Sequence, residues 1–163
     1  MQPAFLILWV FRCVAHFGGY QSIEHMQTSG YSGTPLAKKL GIKEGFIMSV
    51  INQPCNYLQL FTDLPQIEIT RDKKVKKDII HYFVTDQKEI LKEIKSLKEQ
   101  IVQNGMIWIS WPKKSAKVET DITEDVIRNI ALKNGLVDVK VCAINEVWSG
   151  LKLVIPVKDR KKE

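Results

Sequence analysis

The chain has 163 residues, of which 45% are hydrophobic and 26% are charged, and its formal net charge is +6. This length fits one domain, and the composition excludes wholesale disorder. The positive charge favours anionic partners in general, but it is too small to indicate nucleic acid.

The beginning of the chain is unlike the rest, because a strongly apolar run at residues 3–11 is soon interrupted by charge and by glycines. The run is shorter than the roughly 20 apolar residues that span a bilayer. A signal peptide and a mis-assigned start are the remaining interpretations, and we favour translation from Met26. We therefore predict that residues 1–25 lie outside a single domain at 26–157 and that residues 158–163 form a basic tail.

The first predicted element is a short helix after the glycines of a polar loop. Thr34 suits its N-cap, Pro35 its first helical position and Gly41 the left-handed site that ends it. Residues 46–51 then read as the first strand of a sheet, and the alternating residues 66–70 as a short edge strand.

The middle of the chain is predicted as a strand, a helix and a second strand. Residues 78–84 are predicted as a strand, and residues 86–103 as a helix with one apolar stripe and one charged face. The stretch Gly105–Pro112 is apolar, β-branched and aromatic, which is typical of a central strand buried on both faces. His81 lies in the middle of its strand, where we interpret it as a core histidine.

The last part of the chain predicts a helix and a hairpin. Asp121 and Glu124 have capping-box spacing at the start of the helix. Two final strands, 136–144 and 150–157, are so close in sequence that they must be antiparallel. Together these elements predict an α/β fold, a Rossmann-like three-layer sheet that is mostly parallel and ends in an antiparallel hairpin.

The cysteines and histidines argue against metal and disulfide chemistry. Cys13, Cys55 and Cys142 are far apart and form no CxxC pair, which fits a reducing, cytoplasmic compartment. With three histidines in the chain, a histidine-rich metal site is not predicted.

The order of elements from Lys38 to Val157 resembles the S-adenosylmethionine-dependent methyltransferase fold, in which a parallel sheet ends in such a hairpin. In that family a strand like Gly105–Pro112 opens with Gly and ends at Pro. The family also carries an acidic residue and a GxGxG-like loop after its first strand, whereas this chain has no glycine at residues 50–56. The link from Thr70 to Asp78 is too short for a helical crossover. The resemblance thus implies a truncated methyltransferase-like fold with an incomplete cofactor cleft.

Four segments are similar to signature segments of an uncharacterised bacterial family, domain of unknown function 3052. They are Gly30–Leu36, Ile109–Lys114, Gly135–Val141 and Trp148–Lys152. The similarity spans about Gly30 to Val157 and implies a small cytoplasmic protein, and it assigns no catalytic residues.

A ligand site is predicted beyond the carboxyl ends of the strands, where open α/β sheets bind their ligands. The predicted ligand-binding residues at this edge are Asn52, Gln53, Asp86, Trp111, Lys113 and Lys114. Lysines, amides and an indole suit an anionic or planar ligand. One carboxylate without a neighbouring histidine is a poor acid–base set, so no catalytic residue is predicted.

The leading functional prediction is a non-enzymatic or vestigial methyltransferase-like module that binds an anionic small molecule or a protein partner. The missing glycines argue against S-adenosylmethionine, so no cofactor is predicted. One alternative is an active S-adenosylmethionine-dependent transferase with an unusual cofactor loop. A second alternative is a nucleic-acid binder that uses the basic loop 71–77, although this loop lacks aromatic platforms.

Overall fold

Residues 33–161 are described in the computed structural model, so the predictions for residues 1–32 and for the last two residues lie outside it. The strands are β1 (Ile47–Ile51), β2 (Glu68–Ile69), β3 (Lys77–Phe83), β4 (Ile101–Pro112), β5 (Val137–Ala143) and β6 (Trp148–Val154). The α-helices are α1 (Leu36–Leu40), α2 (Gln87–Gln100) and α3 (Glu124–Lys133). Short 3-10 turns cover Tyr57–Leu60, Lys114–Ala116 and Val157–Asp159.

The six strands form one sheet in the order β2-β1-β3-β4-β6-β5. The pairs among β2, β1, β3 and β4 are parallel, whereas β6 is antiparallel to both β4 and β5. This arrangement confirms the predicted α/β class, the mostly parallel sheet and the antiparallel hairpin at its end.

Each face of the sheet carries its own hydrophobic core. On one face α2 and α3 bury apolar side chains such as Ile94 and Ile127 against β3, β4 and β6. On the other face α1 and the 3-10 turn pack Leu40 and Tyr57 against the sheet. The fully buried Trp108 donates its indole N–H to the carbonyl of Leu40 at 2.9 Å, which fixes the end of α1 to the central strand.

The shortness of β2 explains how the chain returns to β3 without a helix. Glu68 and Ile69 pair with Ile47 and Met48, in the first half of β1. The chain therefore travels back only a short distance before β3 begins at Lys77. Residues 66–70 do contain a parallel edge strand, and the link from this strand to β3 contains no helix.

The boundary between α2 and β4 differs from the prediction. The helix ends at Gln100, and Ile101 already pairs with Lys77 in the sheet. Before Met106 pairs with Ile79, the register shifts through a bulge. Gly105 lies in this bulge, where an added Cβ would be 3.0 Å from two backbone oxygens. The apolar pattern continued across the boundary, so it could not distinguish the last helical turn from the bulged strand.

Two helix caps are also corrected. Pro35 is the N-cap of α1 instead of Thr34, because its ψ of 144° is extended and places it outside the helix. Thr123 caps α3, where its side chain accepts a hydrogen bond from the Val126 N–H. Asp121, predicted for that position, accepts instead from the Gln87 N–H at 2.8 Å. In the described part of the chain, no helix has the length and hydrophobicity needed to cross a membrane.

Candidate functional site

The carboxyl edge of the sheet brings most of the predicted site residues together. Strands β1, β3 and β4 are parallel neighbours, so their carboxyl ends meet at one edge. Asn52 and Gln53 follow β1, Asp86 follows β3, and Lys113 and Lys114 follow β4. Because neighbouring strands are about 4.8 Å apart, the ends of β1 and β4 are separated by roughly 10 Å, a span that a small ligand can bridge.

Asn52 adopts a left-handed conformation immediately after β1, with φ at 53°. This region is normally reserved for glycine, and asparagine is among the few other residues that enter it at low cost. The side chain of Asn52 is exposed. The chain therefore makes a glycine-like backbone turn at the end of β1 although it has no glycine there.

Asp86 has a structural task at this edge. One of its carboxylate oxygens accepts a hydrogen bond from the Lys88 N–H at 2.7 Å and so caps α2. The Thr120 hydroxyl donates to the carbonyl of Thr85 at 2.7 Å, which ties the loop after β4 to the turn before α2. Together with Asp121, Asp86 places negative charge at the positive end of the α2 dipole. The carboxylates at this helix are therefore held by the backbone.

The residues that end β4 divide between the core and the surface. Trp111 is 8% exposed and packs in the core beneath α2 and α3, so its indole lies below the surface of the edge. Lys113 is half-buried and its backbone N–H donates to the carbonyl of Val147 at 2.7 Å, whereas Lys114 is exposed. The ligand-binding role of these residues stays a prediction.

A buried chain of polar side chains lies inside the sheet beside this edge. His81 Nδ1 is 3.0 Å from the hydroxyl oxygen of Tyr57, and His81 Nε2 is 2.8 Å from Ser110 Oγ. All three side chains are buried, as predicted for His81. Burial lowers the pKa of His81 to about 3, so its ring is neutral, and burial raises the pKa of Tyr57. None of these groups can reach a substrate in solvent.

This chain of hydrogen bonds anchors the segment that follows β1. The ring of Tyr57 packs edge-on against Phe61 and Phe83, with ring centroids 5.2 and 5.6 Å apart. Tyr57 is therefore held by His81 of β3, whose other ring nitrogen contacts Ser110 of β4. Sequence spacing identified His81 but gave no signal for its two partners, which come from distant parts of the chain.

The basic loop 71–77 is not a continuous solvated surface. Lys77 is the first residue of β3 and is fully buried. Its ammonium group donates to the carbonyl of Asp72 at 2.5 Å and to the side-chain oxygen of Gln100 at 3.2 Å. Desolvation lowers the pKa of Lys77. This lysine therefore has an internal role and is not available to a nucleic acid.

Metal and thiol chemistry find little support in residues 33–161. No group of three or more His, Cys, Asp or Glu side chains in this range is arranged to hold a metal ion. Cys55 is exposed and Cys142 is half-buried in β5. Burial raises the pKa of the Cys142 thiol, which favours the protonated, less reactive form.

Comparison with solved structures identifies the fold. A sheet of this order, with a left-handed turn after β1 and a final antiparallel hairpin, is Rossmann-like. An S-adenosylmethionine-dependent methyltransferase from Aquifex aeolicus is similar with a TM-score of 0.53 and 17% identity, over 74% of this chain and 88% of that chain. The chain therefore has the fold of S-adenosylmethionine-dependent methyltransferases, in a reduced form. No protein-family profile matches it, and no curated protein sequence matches it.

Two further similarities were found. An O-methyltransferase from neocarzinostatin biosynthesis, in complex with S-adenosylmethionine and 2-hydroxy-5-methyl naphthoic acid, has a TM-score of 0.50 and 9% identity, with coverage of 68% of this chain and 49% of that chain. A ribosomal protein L11 methylase from Lactobacillus delbrueckii subsp. bulgaricus has a TM-score of 0.49 and 12% identity, over 78% of this chain and 76% of that chain.

The prediction that the chain uses no cofactor is wrong. The structure from neocarzinostatin biosynthesis holds S-adenosylmethionine on a fold that this chain shares. The prediction was based on the missing glycines, because the side chains that replace them obstruct the turn after β1. Asn52 makes that turn with a positive φ.

Proposed function

We propose that this protein is a reduced methyltransferase-like module that binds S-adenosylmethionine, or its demethylated product S-adenosylhomocysteine, at the carboxyl edge of its sheet. The observation that carries the proposal is the left-handed turn at Asn52 on a methyltransferase-type sheet. The turn reproduces the left-handed backbone conformation that glycine provides at tight turns. A cytoplasmic location, expected from the scattered cysteines, belongs to the same proposal.

The polar residues of the edge suit two parts of this cofactor. Its amino-acid part carries a carboxylate, which Lys113 and Lys114 would attract. Its ribose carries hydroxyl groups, which an amide such as Gln53 would bind as donor and acceptor. Bound S-adenosylmethionine would supply an electrophilic methyl group at this edge.

The residues described at the edge favour holding the cofactor over using it. Methyl transfer to a weakly acidic acceptor requires a base near the methyl group. His81 is the one histidine of residues 33–161, and it is enclosed in the core with its pKa at about 3. The carboxylates of Asp86 and Asp121 are engaged by backbone N–H groups at the start of α2. We therefore propose a vestigial, non-catalytic role, with an active transferase as the alternative.

Isothermal titration calorimetry with both forms of the cofactor tests the proposal. We expect binding of each form by the wild-type protein, and weaker binding when Gln53 and Lys114 are both replaced by Ala. Lys38, which is exposed on α1, provides a matched control, and its replacement by Ala leaves binding unchanged. Failure of both ligands to bind at millimolar concentration would contradict the proposal.

A radiolabelled methyl-transfer assay separates the vestigial from the active form of the proposal. The proposal predicts transfer to cell extract no higher than in a boiled control. Transfer that clearly exceeds the control, and that is lost in a variant that no longer binds the cofactor, would establish the active transferase instead.

A further inference from the structure

A basic cleft lies at the opposite, amino edge of the sheet and has a volume of about 590 Å³. We call it the amino-edge cleft, and its five basic residues are Lys76, Lys95, Lys98, Lys133 and Lys161. Against these five positive charges it contains two carboxylates, those of Glu99 and Asp159. A volume of several hundred Å³ is typical of sites for small molecules.

Elements that are distant in sequence converge on this cleft. Strands β3 and β4 begin here, and β6, which runs in the opposite direction, ends here. The C-terminal halves of α2 and α3 supply Lys95, Lys98 and Lys133. Lys161 is held nearby because its backbone N–H donates to the Gln103 side chain at 3.0 Å. The concentration of lysines is therefore a product of the fold and is separate from the carboxyl edge.

Two of the five lysines donate hydrogen bonds to backbone carbonyl groups at the C-terminal ends of helices. The ammonium group of Lys98 donates to the carbonyl of Asn134 at 3.0 Å, and that of Lys76 donates to the carbonyl of Glu99. These carbonyls belong to the C-terminal ends of α3 and α2, each of which carries a partial negative charge of roughly half a unit. The charges of Lys76 and Lys98 are therefore partly neutralised by the protein itself.

Two other lysines of the cleft form no such hydrogen bonds. Lys95 and Lys133 are exposed, and their side chains make no hydrogen bond or ion pair with residues 33–161. Together with Lys161 they place three ammonium groups around one concavity. Like charges in a shared site repel each other, and a bound anion with several negative charges would relieve that repulsion.

The lining indicates what kind of anion fits. The apolar surface of the cleft comes from Ile101 and Ile155, and no aromatic side chain lines it. A nucleobase would therefore find no ring on which to stack, which disfavours single-stranded nucleic acid. Lysine is an effective point charge for phosphate. We propose that the amino-edge cleft binds a compact, polyphosphate-bearing small molecule through Lys95, Lys133 and Lys161.

Calorimetric titration with inorganic tripolyphosphate tests this proposal directly. A double variant, Lys95→Glu with Lys133→Glu, reverses the charge of one exposed cleft lysine on α2 and one on α3. The matched control is Lys88→Glu with Lys92→Glu, which makes the same charge change at exposed positions of α2 outside the cleft. We expect the cleft variant to raise the dissociation constant by about tenfold or more, and the control by less than about twofold. Circular dichroism verifies that both variants are folded.

Ionic strength and competition give independent readouts. Binding weakens as salt rises from roughly 50 to 200 mM, because the attraction is electrostatic. Excess S-adenosylhomocysteine does not displace tripolyphosphate, because tripolyphosphate binds at the amino edge and S-adenosylhomocysteine does not bind there. This result does not depend on the proposed cofactor site, so either proposal can fail alone.

Several outcomes would overturn the proposal. Equal losses in the cleft and control variants would show that tripolyphosphate responds to net charge only. Absence of tripolyphosphate binding would show that the amino-edge cleft is not a polyphosphate site. Tight, cleft-dependent binding of a single-stranded oligonucleotide without binding of tripolyphosphate would assign the surface to nucleic acid instead.

Discussion

His81 Nε2 lies 2.8 Å from Ser110 Oγ, and this contact joins β3 to β4 inside the core on the α1 face of the sheet. The other ring nitrogen of His81 is bonded to Tyr57, from the connection after β1. One neutral imidazole therefore links the two central strands to the segment that carries the turn at Asn52.

Replacing Ser110 by Ala should destabilise the protein by about 1–3 kcal/mol, because a nitrogen of His81 then stays buried without a partner. Ser49 is also buried but lies outside this hydrogen-bonded chain, so Ser49→Ala should cost less. Urea unfolding of both variants measures the difference. Equal costs would show that the His81–Ser110 contact contributes nothing beyond burial.

Acidification should destabilise the protein through His81. Burial lowers the pKa of His81 from 6.5 to about 3 in the folded state, whereas the unfolded chain retains the ordinary value. Between pH 6.5 and about 3 the unfolded state therefore binds more protons, and stability falls as pH falls. From pH 6.5 to pH 4 the loss is roughly 3 kcal/mol.

The variant His81→Gln isolates this contribution. It should be less stable than the wild type at pH 7, because the amide cannot replace both hydrogen bonds. Its further loss on acidification should be smaller, because the titrating group is gone. Urea unfolding of both proteins at pH 7 and pH 4 provides the comparison, and the same pH dependence in both would refute the assignment.

Gly105 should not tolerate a side chain. An added Cβ would lie 3.0 Å from the carbonyl oxygens of Lys77 and Val102, and backbone atoms cannot move aside easily. Gly105→Ala should therefore cost about 1–3 kcal/mol. Gly33→Ala is the control, since an added Cβ there meets nothing within 4 Å. Thermal unfolding that shows similar melting temperatures for the two variants would contradict the close approach.

The turn at Asn52 should accept glycine and reject a β-branched residue. Asn52→Gly keeps the left-handed conformation available, so its stability should stay near that of the wild type. Asn52→Val should lose about 1–2 kcal/mol, because the second methyl group on Cβ crowds the left-handed backbone and valine lacks the polar side chain that helps asparagine adopt it. If the proposed function is right, Asn52→Val also weakens cofactor binding, and Asn52→Gly does not. Thermal unfolding and calorimetry report the two effects separately.

The fold was largely predictable because its signals are local and consistent. Helix periodicity before Gly105, the apolar stretch that ends at Pro112 and the short gap between residues 144 and 150 each allow few alternatives. Boundaries were less predictable where one pattern satisfies two structures. Ile101 continues the apolar stripe of α2 but pairs with Lys77 in the sheet.

For the candidate site, the sequence predicted only the location, at the carboxyl edge of the sheet. Strand ends placed Asn52, Asp86 and Lys114 together, because parallel strands end on one side of a sheet. Conformation and burial depend on tertiary contacts, so neither the positive φ of Asn52 nor the burial of Trp111 could be read from spacing. For the same reason the cofactor prediction was wrong: the sequence shows which residue follows β1 but not the backbone angle it adopts.

The central claim is that the carboxyl edge holds the cofactor. Titration of the ¹⁵N-labelled protein with S-adenosylhomocysteine, followed by amide chemical shifts, tests it most directly. The account predicts saturable shifts at Asn52, Gln53 and Lys114 and none at Lys95 or Lys133. Shifts confined to the amino-edge cleft, or no saturable shifts at all, would contradict it.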